Sequence, residues 1–134
     1  MRKLLGAVLL VLLAGCSTTP IPSESADPVP AERLYANQQK SDGDATLVVT
    51  RDNGFVGSAC NTRLMIDGRL VAEIGEGETA KFYIPAGDII LGVSTGVCGG
   101  GLKEREAKLS AGKVKKYRIS IDRTGSMDLS PTAY

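Results

Sequence analysis

The sequence predicts an all-β protein, an antiparallel β-sandwich of about seven short strands, with a small barrel as the neighbouring solution. Three observations lead there. From residue 45 onward, apolar side chains recur at every second position, the period of a strand with one buried face. Clusters containing glycine or proline interrupt that pattern at intervals of roughly 8 to 12 residues. No stretch beyond residue 45 carries an apolar stripe at helical spacing.

The first residues follow a different pattern. Arg2 and Lys3 precede an apolar run, residues 4–14, whose 11 residues contain no polar side chain. A membrane span needs about 20, so this order of basic, apolar and small residues reads as an export signal. Leu13, Ala14, Gly15 and Cys16 resemble the lipobox of bacterial lipoproteins. The resemblance implies cleavage before Cys16, diacylation of its thiol and acylation of the new amino terminus. One acyl chain holds a protein marginally, whereas three anchor it firmly. Ser17, rather than aspartate, after the cysteine resembles outer-membrane sorting, which places the chain on the periplasmic side of the outer membrane of the cell envelope.

Removing residues 1–15 leaves 119 of the 134, enough for one small domain. Residues 16–32 hold the lipidated cysteine and four of the six prolines in a polar setting, a composition that predicts a disordered, extended tether. At about 3.1 Å per residue such a tether spans at most some 50 Å. The folded domain is then residues 33–134. Residues 33–40, with Leu34 and Tyr35 as the large apolar groups, fit either a helical turn or a lead-in strand.

The strands follow in order. Ala45, Leu47 and Val49 alternate with Thr46, Val48 and Thr50; Leu64 and Ile66, then Leu70, Ala72 and Ile74, alternate across Asp67-Gly68. Asp-Gly predicts a tight hairpin, because that turn needs positive φ at both central residues. Residues 75–78 lead into Phe82 and Ile84, and Pro85-Ala86-Gly87 turns the chain toward Ile89, Leu91 and Val93. Ile90 makes that strand apolar on both sides, which fits a strand covered on both faces, as in an alternative half-open sheet with one helix from the Arg33 region packed on it. Residues 104–109 and 114–121 read as a further pair, with Tyr117, Ile119 and Ile121 inward, and a short strand follows near residues 127–129.

The runs Thr50-Arg51-Asp52-Asn53-Gly54-Phe55-Val56-Gly57-Ser58-Ala59, Leu64-Met65-Ile66-Asp67-Gly68-Arg69-Leu70-Val71, Phe82-Tyr83-Ile84-Pro85-Ala86-Gly87 and Leu109-Ser110-Ala111-Gly112-Lys113 resemble a family of uncharacterised small bacterial lipoproteins. The Ile66-Asp67-Gly68 and Ile84-Pro85-Ala86-Gly87 elements are also similar to PEGA-type surface β-domains. The resemblance covers about residues 45–121 and implies an envelope β-sandwich without catalytic residues to carry over. Ala86 stands where the family pattern has a second proline.

Composition narrows the function. The chain has no histidine or tryptophan and six aromatic residues, so its core is mainly aliphatic. Without histidine, Ser-His-Asp and Cys-His nucleophile arrangements are excluded. After signal removal 14 basic residues face 15 acidic ones, too even a balance for bulk attraction to nucleic acid. In an exported protein Cys60 and Cys98 pair as a disulfide. Their spacing is not Cys-x-x-Cys, and no carboxylate spacing completes a metal site around them, so no cofactor or metal is expected. Gly99, Gly100 and Gly101 lack the Gly-Lys-Ser/Thr continuation of a phosphate loop. Lys113, Lys115, Lys116 and Arg118 form a basic cluster, read either as a solvated strand face or as a contact for anionic envelope polymers.

The leading expectation is a non-enzymatic, lipid-anchored module meeting the membrane through Cys16. Its candidate contacts to another envelope protein or cell-wall component are Asn53, Gly54, Phe55 and Gly99, Gly100 and Gly101. An inhibitor of a wall-degrading enzyme such as lysozyme is the alternative, and a cell-wall hydrolase a third reading.

Overall fold

The computed structural model describes residues 17–54, 59–98 and 101–134. Its strands are β1 (Asp27–Pro28), β2 (Asp44–Arg51), β3 (Thr62–Ile66), β4 (Arg69–Ile74), β5 (Glu78–Pro85), β6 (Gly87–Ser94), β7 (Lys103–Leu109), β8 (Val114–Ile121) and β9 (Met127–Pro131). They form two packed sheets, ordered β1-β5-β2-β8-β9 and β4-β3-β6-β7. The architecture is the predicted β-sandwich, with nine strands among the described residues. Two neighbours within it run parallel, β1 with β5 and β2 with β8.

Between the sheets lie Leu47, Leu64, Ile74, Phe82, Leu91 and Ile119, all buried. The inward positions of β8 are the predicted Tyr117, Ile119 and Ile121. Asp67 and Gly68 turn β3 into β4 with φ of 49° and 78°, as the hairpin requires. The Asp67 carboxylate also accepts the Ile90 amide at 2.8 Å, tying the turn to β6.

Several local expectations change. The register slips between Leu64 and Met65, so β4 carries one extra residue. This bulge buries Val71 beside Ala72 and leaves Leu70 only half-buried, against simple alternation. Ile90 is 41 % exposed, so β6 is not covered on both faces. Residues 104–109 and 114–121 are not a pair: β7 bonds to β6, and β8 to β2 and β9, so the turn at residues 110–113 crosses between sheets. The turn at residue 86 crosses likewise from β5 to β6. Strand, turn and strand read alike in sequence whether the turn closes a hairpin or changes sheet.

The segment expected to be a free tether lies on the domain as a strap. Thr18 donates its backbone N–H to Ile121 O (3.1 Å), and Thr19 pairs with Asn53. A 3-10 turn at Ser23–Ser25 follows, with Glu24 on Lys116 (2.6 Å). The amides of Asp27 and Val29 then bond to Gly77 O and Thr79 O, each at 3.0 Å, and Val29 is buried in the core. Prolines stand at 28 and 30, where an N–H would face away from β5 and meet no strand. The prolines that suggested disorder thus favour the extended dihedrals of an edge strand. In the expected lead-in region, a 3-10 turn (Ala31–Arg33) precedes a bridge from Leu34 to Ala72 of β4. Residues 27–38 thereby close the side of the sandwich between β5 and β4. The other side is joined by Arg105, whose Nε donates to Leu129 O and whose Nη2 meets Asp128 at 3.2 Å.

Candidate functional site

The described residues with the most interlocked polar side chains lie at one end of the sandwich, where β2, β4, β6 and β8 finish and β3 and β5 begin. Cys60 and Cys98 are disulfide-bonded there, with Cα atoms 6.3 Å apart, joining the β2–β3 connection to the β6–β7 connection. Beneath them Arg51, the last residue of β2, is 1 % exposed. Its Nη1 donates to Cys60 O (2.7 Å) and Ile74 O (3.2 Å), so one guanidinium ties the disulfide loop to the end of β4. Burial pushes the Arg51 pKa down from its ordinary value, with Glu76 and Glu78 opposing that shift.

Asp52 faces the opposite side of the sheet and is equally buried. Its carboxylate accepts Arg118 Nε (3.2 Å) and Nη2 (3.1 Å) from the adjacent strand, and Thr18 Oγ1 at 3.3 Å. The burial of two consecutive charged residues follows from β2 being covered twice, by the second sheet on one face and by the strap on the other. Gly77, at φ 67°, passes so close to Asn53 that a side chain there would collide with its amide oxygen. A second ion pair at this end, Arg33 with Glu78, fixes the strap to the start of β5 through Nη1–Oε2 (2.8 Å) and Nη2–Oε1 (2.6 Å). Burial opposes ionisation of Glu78. The hydrogen bonds from Arg33 and the Gly75 amide outweigh it and hold the carboxyl below the usual carboxylate range.

A shallow cavity of about 410 Å³ opens beside the disulfide, lined by Ala59, Cys60, Asn61, Arg63, Glu73, Thr95 and Gly96. Tyr35 Oη donates to the Glu73 carboxylate at 2.7 Å, which lifts the phenol pKa. Opposite charges on Arg63 and Glu73 suit hydrogen bonding and ionic contact. A second cavity, of about 390 Å³, lies between Ser23 and Glu24 of the strap and the outer face of the larger sheet, floored by Val48 and flanked by Lys81 and Lys116.

Of the sequence-derived contact residues, Asn53 and Gly54 are engaged with the chain itself. Asn53 pairs with Thr19, and Gly54 donates its N–H to Glu76 (3.0 Å) and passes so close to Thr18 that a Cβ would stand 2.9 Å from its Cα. Gly101 is exposed. Cys16, Phe55, Gly99 and Gly100, and the signal expected at residues 1–15, lie outside the described residues. The basic cluster is divided: Lys116 meets Glu24 and Arg118 meets Asp52, while Lys113 and Lys115 are exposed.

Sequence reasoning missed Arg51, Asp52 and Glu78. The run Arg51-Asp52 after an apolar strand looks like the start of a solvated turn, and nothing local shows that two layers cover it. Among the described residues, no group of three or more His, Cys, Asp or Glu is placed to hold a metal ion, and no helix is long and apolar enough to cross a membrane. Compared with known proteins, the chain matches no family model and has no significant match among curated proteins. The likeness to small bacterial lipoproteins therefore rests on the run Leu13-Ala14-Gly15-Cys16 and the turn residues alone.

Proposed function

We propose that this chain is a bacterial envelope lipoprotein, acylated at Cys16, whose β-sandwich serves as a non-enzymatic binding or structural module on the periplasmic side of the outer membrane. The observation that carries the reading is the order of Arg2 and Lys3, an uninterrupted apolar run, and Leu13-Ala14-Gly15-Cys16. A disulfide-bonded Cys60 and Cys98 suits an oxidising compartment outside the cytoplasm. The absence of histidine from the whole sequence removes the commonest general base and supports a non-catalytic role. The sandwich needs no apolar surface of its own for attachment, because the acyl chains supply it. Its partner is another envelope protein or a cell-wall component.

Metabolic labelling with an alkyne-bearing fatty acid tests the anchor. Label and membrane fractionation should both be lost in Cys16→Ser, and persistence of either overturns it. Incubation of the soluble domain with purified peptidoglycan tests the non-enzymatic part, and release of soluble fragments overturns that.

A further inference from the structure

Thr18 is held at the disulfide end by a two-way exchange with Ile121: its N–H donates to Ile121 O at 3.1 Å, and its Oγ1 accepts the Ile121 N–H at 3.0 Å. Thr19 is bonded to Asn53 in both directions, at 2.6 and 3.0 Å. One residue, Ser17, separates this fixed point from Cys16. Two Cα steps of 3.8 Å bring Cys16 Cα to within about 7 Å of Thr18 Cα, however the intervening chain is arranged. The headgroup layer on each side of a bilayer is itself about 5 to 8 Å thick.

Resting on the lipid-anchor reading above, we infer that the disulfide end of the sandwich stands directly against the lipid headgroups. The occupant of this surface is the bilayer that receives the Cys16 acyl chains. The strap uses up the length that a free tether would have provided, folding residues 18–38 back along the domain. The exposed rim at this end includes Arg63, Lys103 and Arg123, with Leu102 at 55 % exposure. Three cations and one apolar side chain suit an interface of phosphate groups over acyl chains. Exposed acids share this end: Glu76 accepts the Gly54 amide, Asp122 accepts the amides of Thr124 and Ser126, and Asp27 and Glu104 stand where β1 and β7 begin, so the short reach from Thr18 to Cys16, rather than net charge, carries the orientation.

A second consequence concerns the partner. The turns at residues 67–68, 86 and 111–112 lie at the other end, roughly 26 Å away along an eight-residue strand such as β2. Those turns face away from the membrane, and the Asn53 and Gly101 loops face it. A protein or wall partner therefore meets the distal turns or the flanks.

Amine footprinting tests this orientation. The acylated protein is reconstituted in vesicles of phosphatidylethanolamine and phosphatidylglycerol, and its lysine acetylation rates are compared with those of soluble Cys16→Ser. Lys103 at the disulfide end should be labelled several-fold more slowly in vesicles, while Lys40 and Lys113 at the distal end keep their rates. Inserting about 20 Gly and Ser residues between Ser17 and Thr18, a coil spanning roughly 25 Å, should restore Lys103 labelling without releasing the protein. Mass spectrometry of the N-terminal peptide separates the two readings. Acyl groups on Cys16 with unprotected Lys103 overturn the orientation and leave the anchor standing, as does protection that survives the insertion. An N-terminal peptide without acyl groups overturns the anchor and the orientation together.

Discussion

Arg33 grips Glu78 with both arms of its guanidinium, at 2.8 and 2.6 Å, while its Nη1 also donates to Glu73 O at 2.9 Å. The pair is about one-fifth exposed, 21 % for Arg33 and 17 % for Glu78, so water competes weakly for it. It joins the strap to both sheets at once: Glu78 opens β5 and Glu73 lies in β4.

Replacing Glu78 by glutamine keeps the shape and removes the charge, and it should cost about 2 kcal/mol at pH 7. The sign of the pH dependence follows from the lowered folded-state pKa of Glu78. Its contribution is fully present above the unfolded value of about 4.3 and is lost as pH falls through the folded value. Urea unfolding should therefore show a wide gap between the parent protein and Glu78→Gln at pH 7 that narrows below pH 4. A gap independent of pH would mean that the charge contributes nothing.

Asp52 depends on Arg118 in a related way, yet the geometry differs. The carboxylate is 1 % exposed, whereas the Arg118 side chain is 31 % exposed. Removing Arg118 leaves a buried anion that water reaches only through the vacated space. Arg118→Ala should destabilise the fold by about 2 to 3 kcal/mol, measured by chemical unfolding. Arg118→Lys should recover only part of that, because one ammonium cannot reproduce the contacts made by Nε and Nη2 together. Full recovery by lysine would show that charge alone matters there.

The Cys60–Cys98 bridge closes a loop of 39 residues counted inclusively. The chain-entropy relation gives such a loop about 4 kcal/mol. The double variant Cys60→Ser, Cys98→Ser should unfold at a lower temperature than the oxidised parent, and reductant should lower the parent to a similar value. Peptide mapping without reductant should recover the two cysteines in one linked fragment. An unchanged midpoint in the variant would place the stabilisation of this end in the Arg51 contacts to Cys60 O and Ile74 O instead.

What was legible in the sequence was mostly what is local. Asp67-Gly68 announces its turn because the residues that tolerate positive φ are few. The inward faces of β2 and β8 follow from a period of two. Cys60 and Cys98 pair as compartment reasoning expects. Pairing between sheets is not local, so β7 and β8 looked like one hairpin although a sheet change separates them. Val71 was hidden for a similar reason: the bulge that turns it inward is set by the register with β3, and its carbonyl accepts the Tyr35 amide of the strap at 2.9 Å. Arg51 and Asp52 were missed because burial of charge depends on what covers a strand. One signal for the strap was present in Asp27-Pro28-Val29-Pro30, where donors and prolines alternate with the period of an edge strand.

That alternation leads to the most direct test of where the domain begins. A boundary at residue 33 removes Val29 from the core, takes the partner from the β5 edge, and uncovers Val48 and Thr50, which are 4 % and 3 % exposed beneath the strap. Burying an aliphatic side chain contributes about 1.5 to 3 kcal/mol, so loss of Val29 and the cover over Val48 together should cost roughly 3 kcal/mol or more. It also leaves the unpaired edge of β5 open to other chains. The protein beginning at Ser17 should therefore be monomeric with the higher urea midpoint, while the version beginning at Arg33 unfolds earlier and self-associates on size-exclusion chromatography. Val29→Ala isolates the packing part, at about 2 kcal/mol, with the edge still covered and no change in association. Equal midpoints for the two chain starts would return residues 17–32 to the role of a free tether. They would also overturn the proposed membrane-facing orientation, since only a docked strap keeps Thr18 beside Ile121.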